Sequence, residues 1–184
     1  MKELETNIEG LLLIEPRVFR DERGYFYESF STEKMAAIGL NETFVQDNES
    51  LSQKGVIRGL HFQAPPYDQG KLVRVVKGAV LDVAVDIRVG SPTYGSFFAV
   101  ELTEHNKYML FIPSGFAHGF ATLEENTLFQ YKCTNGYNQQ SEGSVNCMDP
   151  EIGIIWPFSS PLLSEKDLEA KPLSELISPF KYAK

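Results

Sequence analysis

The chain has 184 residues, the size of one domain on the usual scale of ~100–200 residues, and its 42% hydrophobic and 23% charged residues exclude wholesale disorder. No run approaches the ~18–20 consecutive apolar residues of a membrane span, and the acidic start (Glu3, Glu5, Glu9) lacks the basic flank of a secretory signal, so a cytoplasmic location is expected. A formal charge of −8 argues against nucleic acid or an anionic membrane as partner.

In chain order, Thr32 to Ile38 reads as a short helix with a Ser/Thr start and a Gly39 stop. Leu72 to Val76 is a β-branched run closed by Lys77-Gly78. From Leu81 to Ile87, the apolar Leu81, Val83, Val85 and Ile87 alternate with Asp82, Ala84 and Asp86. Period two predicts a strand with one buried face. Phe97 to Leu102, Tyr108 to Ile112, Phe116 to Leu123 and Leu128 to Cys133 continue the series, separated by polar and Gly/Pro turns. Ser164 to Leu168 and Pro172 to Ile177 read as short helical turns. Short strands at this spacing predict a mostly β sandwich or barrel. With no repeat or linker, one domain over 1–184 is expected.

Cys133 and Cys147 are too few for a disulfide framework and read as small buried thiols. All six arginines (Arg17, Arg20, Arg23, Arg58, Arg74 and Arg88) lie in residues 1–88. Arginine suits fork-like contact with phosphate or carboxylate, so a small anionic ligand fits an acidic protein if it binds there.

Three histidines permit an exhaustive search. His105 lies in a polar turn and reads as a solvated residue, whereas His61 and His118 sit in apolar segments beside glycines, where a backbone can close in on a ligand. Pro113-Ser114-Gly115-Phe116-Ala117-His118 has the P-x-G-x-x-H order of the second half-motif of cupin barrels. The earlier segment, His61-Phe62-Gln63, lacks the H-x-H pair, and Lys71 stands near where an acidic metal ligand belongs. An ammonium repels a cation and offers no lone pair, so the expectation is a cupin-type barrel whose metal is replaced by a fixed positive charge. Such a cation stabilises negative charge developing on an oxygen. A neutral histidine beside it, oriented by a carboxylate, removes a proton from carbon. The reaction class is proton abstraction α to a ketone.

At this point the motifs carry a resemblance. Arg17-Val18-Phe19, Asp21-Glu22-Arg23-Gly24-Tyr25-Phe26, Gln46-Asp47-Asn48, Arg58-Gly59-Leu60-His61-Phe62-Gln63, Gly70-Lys71-Leu72-Val73-Arg74, Tyr131-Lys132, Ser141-Glu142-Gly143, Trp156-Pro157 and Ser164-Glu165-Lys166-Asp167 keep the order of the dTDP-4-dehydrorhamnose 3,5-epimerase family and span nearly the whole chain. The resemblance implies an all-β jelly-roll barrel of cupin type with a few short peripheral helices, a homodimer, and neither cofactor nor metal. It implies epimerisation of dTDP-4-dehydro-6-deoxy-D-glucose at C3 and C5 to dTDP-4-dehydro-L-rhamnose, a step of dTDP-L-rhamnose biosynthesis. His61 then resembles the base, Asp167 its dyad partner, Lys71 the enolate-stabilising cation and Tyr131 the acid on the opposite face. From the residues alone, Asp167 is a capping-box acid three positions after Ser164 and Tyr131 is one tyrosine of eight. A base and an acid on opposite sides of a planar enolate invert the carbon, and a phenol with its ordinary pKa near ~10 is protonated at neutral pH.

Arg23, Glu28, Gln46, Asp47, Asn48 and Arg58 match family positions that hold the nucleotide or the sugar. His118 resembles a sugar contact and Glu142 a nucleotide-side contact. Tyr137 resembles the aromatic that stacks on thymine; the family often has a second aromatic just before it, where this chain has Gly136. Read from the residues, Arg23 is a solvated turn and Glu28 an edge-strand charge. Three alternatives stay open: a monofunctional C3 or C5 epimerase of a dTDP-4-keto-6-deoxy sugar, a non-catalytic nucleotide-sugar-binding cupin, and a metal-dependent cupin oxygenase.

Overall fold

The apolar runs between Leu72 and Cys133 form strands, as their patterning predicts. The structure is a computed structural model that describes residues 1–183. Its strands are β1 (Lys2–Leu4), β2 (Leu12–Glu15), β3 (Phe19–Asp21), β4 (Gly24–Phe26), β5 (Gln46–Ser52), β6 (Ile57–Gln63), β7 (Lys71–Lys77), β8 (Ala79–Asp86), β9 (Phe97–Thr103), β10 (Met109–Ile112), β11 (Phe116–Thr122), β12 (Thr127–Cys133) and β13 (Glu142–Ser144). Helix is confined to α1 (Thr32–Ala36), α2 (Glu165–Leu168) and 3-10 turns at Gln139–Ser141 and Leu173–Glu175. Among the described residues, no helix is long and apolar enough to cross a membrane.

One sheet has the order β1-β2-β10-β7-β12-β5 and the other β13-β6-β11-β8-β9; β3 and β4 form a separate ribbon. From β5 to β12 the chain crosses between the sheets at nearly every connection, which makes an all-β jelly roll of cupin type. The inner faces meet in a core in which Val73, Val75, Leu110 and Phe129 pack against Val80, Leu102, Phe116 and Phe120. The C-terminal segment lays Ile152, Trp156, Leu173 and Phe180 over the outer face of the five-stranded sheet, against Val83, Val85, Ala117 and Ala121. Met35 of α1 and Leu40 cover Leu72, Met109 and Phe111 on the other sheet. Each fully buried Val, Leu or Phe contributes about 1.5–3 kcal/mol relative to exposure.

Two expectations are corrected here. Alternation in Leu81 to Ile87 predicts one buried face, yet β8 is buried on both: Asp82, Ala84 and Asp86 are each fully covered. The apolar face packs under the C-terminal segment, and the polar face is the one turned inward. Buried carboxylates persist because they are paired. Asp86 accepts from Arg88, Ser91 and Thr93, and Asp82 binds His118. The glycines beside His61 and His118 serve each other and not a ligand. A Cβ on Gly59 would lie 2.5 Å from Gly119 Cα, and one on Gly119 would lie 2.7 Å from the Arg58 carbonyl oxygen.

That contact sits at a β-bulge. His118 pairs with His61 while Phe120 pairs with Arg58, so β6 carries one more residue than β11 between these partners. Gly59, at φ +138°, is the residue that tolerates the geometry. The extra residue turns both Arg58 and His61 to the inside, although their odd spacing in a regular strand would put them on opposite faces.

Candidate active site

A chamber of about 550 Å³ opens between the sheets, lined by Arg58, His61 and His118 from the five-stranded sheet, Lys71, Phe129 and Tyr131 from the six-stranded sheet, and Ser164 and Asp167 from the C-terminal segment. It continues into a second lobe lined by Gln46, Asn48, Gln69, Tyr137 and Glu142, with His61, Lys71 and Tyr131 common to both. The base and acid expected from the resemblance therefore project from opposite sheets into one space.

His61 Nε2 donates to Asp167 Oδ1 at 2.5 Å, which leaves Nδ1 as the ring nitrogen open to a proton. Asp167 is 3% exposed. Burial pushes its carboxyl up, but the hydrogen bonds from His61 and Ser164 outweigh burial and hold it below the usual carboxylate range. Ser164 caps α2 by accepting from Asp167 N, so Asp167 is at once the cap's partner and the partner of His61.

Lys71 opens β7, with Cys133 as its cross-strand neighbour. Its ammonium makes no hydrogen bond or ion pair among the described residues. Burial pulls its pKa down, opposed by the nearby Cys133, Asp82 and Glu142. Tyr131 lies on β12 beside Phe129, with ring centroids 6.1 Å apart. Burial, then Cys133, raise its phenol pKa against the pull of Arg58, which keeps it protonated at neutral pH. His118 is fixed by Asp82, whose two oxygens lie 2.9 and 3.0 Å from Nε2, and stacks at 6.3 Å on Phe129. Among the described residues, no three His, Cys, Asp or Glu side chains converge as a metal-binding group.

In the second lobe the hydrogen bonds form a row. Tyr137 N donates to Gln46 Oε1, Gln46 Nε2 to Asn48 Oδ1 and Asn48 Nδ2 to Cys133 Sγ. The loop carrying Tyr137 is gripped by Gln63, which donates to the Gly136 carbonyl and accepts from Asn138 N. A Cβ at Gly136 would meet open space, so the loop has room for a side chain where the family often carries a second aromatic. Arg58 lines the chamber and donates to Ser52 Oγ at 3.0 Å. Glu142 lines the lobe and accepts from Lys166 at 2.6 Å.

Three expected residues lie elsewhere. Asp47 alternates with Gln46 and Asn48 along β5, faces outward and pairs with Lys132 at 2.9 Å. Arg23 stands on the β3–β4 ribbon with its side chain 83% exposed, bonded to Asp21. Glu28 follows the ribbon and pairs with Lys34. Sequence reasoning overlooked Asp82, Gln63 and Ser50, whose buried hydroxyl lines the chamber without a partner. Only Asp82 left a signal, as a charge inside a strand; Gln63 and Ser50 look like ordinary polar residues.

Comparison with known proteins gives consistent results. The family model for dTDP-4-dehydrorhamnose 3,5-epimerase matches residues 5–175. The dTDP-4-dehydrorhamnose 3,5-epimerase of Salmonella typhimurium is 52% identical over 176 residues, covering 95% of this chain and 96% of that protein. The crystal structure of dTDP-6-deoxy-D-glucose-3,5-epimerase from Legionella pneumophila Philadelphia 1 in complex with dTDP-4-keto-L-rhamnose superposes with a TM-score of 0.94 at 47% identity, covering 100% of this chain and 99% of that one. A 3'-monoepimerase from Streptomyces bikiniensis in complex with dTDP-quinovose superposes with a TM-score of 0.87 at 36% identity, covering 92% and 86%.

Proposed function

The chain belongs to the dTDP-4-dehydrorhamnose 3,5-epimerase family, and we propose from that premise that it inverts C3 and C5 of dTDP-4-dehydro-6-deoxy-D-glucose to give dTDP-4-dehydro-L-rhamnose. His61 Nδ1 takes the proton from the carbon next to the C4 ketone. The C–H electron pair moves into a carbon–carbon double bond, and the ketone oxygen becomes an enolate. Lys71 stabilises that oxygen, and its lack of a protein partner supports the role. Tyr131 delivers a proton to the opposite face, so the carbon is inverted with no net change in composition. A carboxylate behind His61 fixes the tautomer and stabilises the imidazolium.

The observation that carries this reading is His61 on one sheet, paired with Asp167 of the C-terminal segment, facing a chamber that it shares with the phenol of Tyr131 and the free ammonium of Lys71 on the other sheet. Arg58 supplies a cation toward the diphosphate, and Tyr137 a face for thymine, where stacking on an aromatic is worth about 1–3 kcal/mol per base. The test is NMR of the product formed in D₂O, with deuterium expected at both C3 and C5. Deuterium at one carbon identifies a monoepimerase. No exchange in wild type, or undiminished exchange in His61→Ala, overturns the assignment.

We further propose a homodimer. Arg23 and Glu28 match nucleotide- or sugar-holding positions but stand outside this chain's own chamber, on or beside a ribbon that exposes Phe19, Tyr25 and Phe26 by 49%, 52% and 66%. A second copy's ribbon reaching the chamber mouth would bury those rings and bring the charges to the ligand. Sedimentation is expected to give a dimer, with Arg23→Ala raising KM; a fully active monomer overturns this. Two free buried thiols accord with a reducing, cytoplasmic compartment.

A further inference from the structure

We propose that Ser164 is a positioning residue for the reaction, its hydroxyl locking the Asp167 carboxylate in the orientation that serves His61. The inference rests on the reading of His61 as base and extends it by one residue.

An ordinary N-cap serine only accepts a hydrogen bond from the first turn of its helix. Ser164 does that, receiving Asp167 N at 3.2 Å, and its hydroxyl also donates to Asp167 Oδ2 at 2.7 Å. The other oxygen, Oδ1, receives His61 Nε2 at 2.5 Å. Each carboxylate oxygen thus has one fixed partner, and the group cannot rotate without breaking both bonds. Asp167 is almost fully buried, so water cannot replace a lost donor cheaply.

The anchor is also tied to the strand it serves. Leu162 N donates to Gly55 O, and Ile57 N donates to Leu162 O. The residues before Ser164 are therefore laced to the start of β6, the strand that carries His61. The serine hydroxyl, the carboxylate and the imidazole form one relay on a common frame.

Three variants test this: Ser164→Ala, Ser164→Thr and Ser164→Asp. Thr keeps both the cap and the donor. Asp keeps a capping oxygen but removes the donor and adds a like charge. The hydroxyl helps to hold the Asp167 carboxyl below its usual range, so without it Asp167 takes up its proton at higher pH. Ser164→Ala is expected to lower kcat about tenfold, the scale of losing a hydrogen bond to an ionised group. KM should stay within about twofold, because the hydroxyl's proton is committed to Asp167, and the acid limb of the kcat profile should move to higher pH. Ser164→Thr restores both the rate and the limb. Ser164→Asp keeps the cap but sets a second carboxylate against the buried Asp167, so it is expected to lower Tm and to lose at least as much activity as alanine.

A Ser164→Ala enzyme with wild-type kcat and acid limb and only a lower Tm overturns the proposal, since the serine is then a cap alone. So does a Ser164→Asp enzyme with wild-type kcat. His61→Asn separates the two levels. Proton exchange surviving in that variant refutes the base, whereas an inert His61→Asn beside an unaffected Ser164→Ala refutes only the serine.

Discussion

Replacing Asp167 by asparagine keeps the shape of the dyad and removes its charge. In the transition state His61 becomes cationic about 4 Å from the carboxylate, and two unit charges at that distance attract by about 4 kcal/mol at an effective dielectric of ~20. The His61 side chain is 36% exposed, so solvent screening cuts this to about 2 kcal/mol, or roughly 30-fold in rate at ~1.4 kcal/mol per tenfold. Tautomer control adds to that. An asparagine that turns its amide N–H toward Nε2 forces the ring proton onto Nδ1 and blocks the basic nitrogen. The comparable change behind the imidazole of serine proteases costs about 10⁴-fold. The expected loss in kcat for Asp167→Asn thus lies between about 30-fold and 10⁴-fold. Turnover of dTDP-4-dehydro-6-deoxy-D-glucose followed by NMR measures it, and calorimetry should show dTDP affinity unchanged within about twofold. A kcat within about threefold of wild type would refute the dyad.

Tyr131→Phe should bind dTDP normally and still lose the substrate proton to His61, yet form inverted product at least about 100-fold more slowly, the scale of general acid catalysis; inversion at the wild-type rate excludes the phenol as acid. Gly59→Ala should cost about 3 kcal/mol or more, because positive-φ strain adds ~1–3 kcal/mol to overpacking against Gly119, whereas Gly136→Ala, facing open space, should change stability by under about 0.5 kcal/mol; denaturant melts of the two compare them directly. The acid limb of stability follows from carboxylates held low. Asp86 stays below the usual range because its hydrogen bonds to Arg88, Ser91 and Thr93 outweigh burial, and Asp167 because those to His61 and Ser164 do. Their stabilisation is complete above an unfolded-state pKa of about 3.9 and is lost as pH falls through the lower folded values. Asp86→Asn should therefore flatten the loss of stability below about pH 4; an unchanged slope there contradicts the assignment.

The strands β7 to β12 were legible because each places apolar side chains at period two on at least one covered face. The strands β5 and β6, which carry half of the chamber, were not. In β5 the inward positions Gln46, Asn48 and Ser50 are polar because they face the chamber, so no apolar stripe marks the strand. In β6 the bulge at Gly59 breaks the period, and burial runs over nearly every residue. Alternation in β8 marks the strand but predicts one buried face, whereas its polar face is buried too and turns inward to hold His118. Among the site residues, His61 emerged by elimination and Lys71 from its place opposite the metal-ligand pattern. Asp167 and Tyr131 came only from the resemblance, since a capping acid and a strand tyrosine look alike in a thousand unrelated sequences.

The interior polar groups divide into two sets, and the division says where a ligand must act. His118 with Asp82, His61 with Asp167 and Ser164, and Arg58 with Ser52 satisfy one another through hydrogen bonds of 2.5 to 3.2 Å. These pairs hold the walls and offset their own desolvation. The Lys71 ammonium, the Tyr131 hydroxyl and the Ser50 hydroxyl have no protein partner among the described residues. Of the three only the Ser50 hydroxyl is fully buried, at a cost of about 1–3 kcal/mol for an unpaired polar group, while Lys71 and Tyr131 line the chamber, where a ligand can reach them. A bound ketose offers Lys71 an oxygen that becomes more negative as the proton leaves. The ammonium therefore interacts more strongly with the enolate than with the substrate, and that difference is what lowers a barrier.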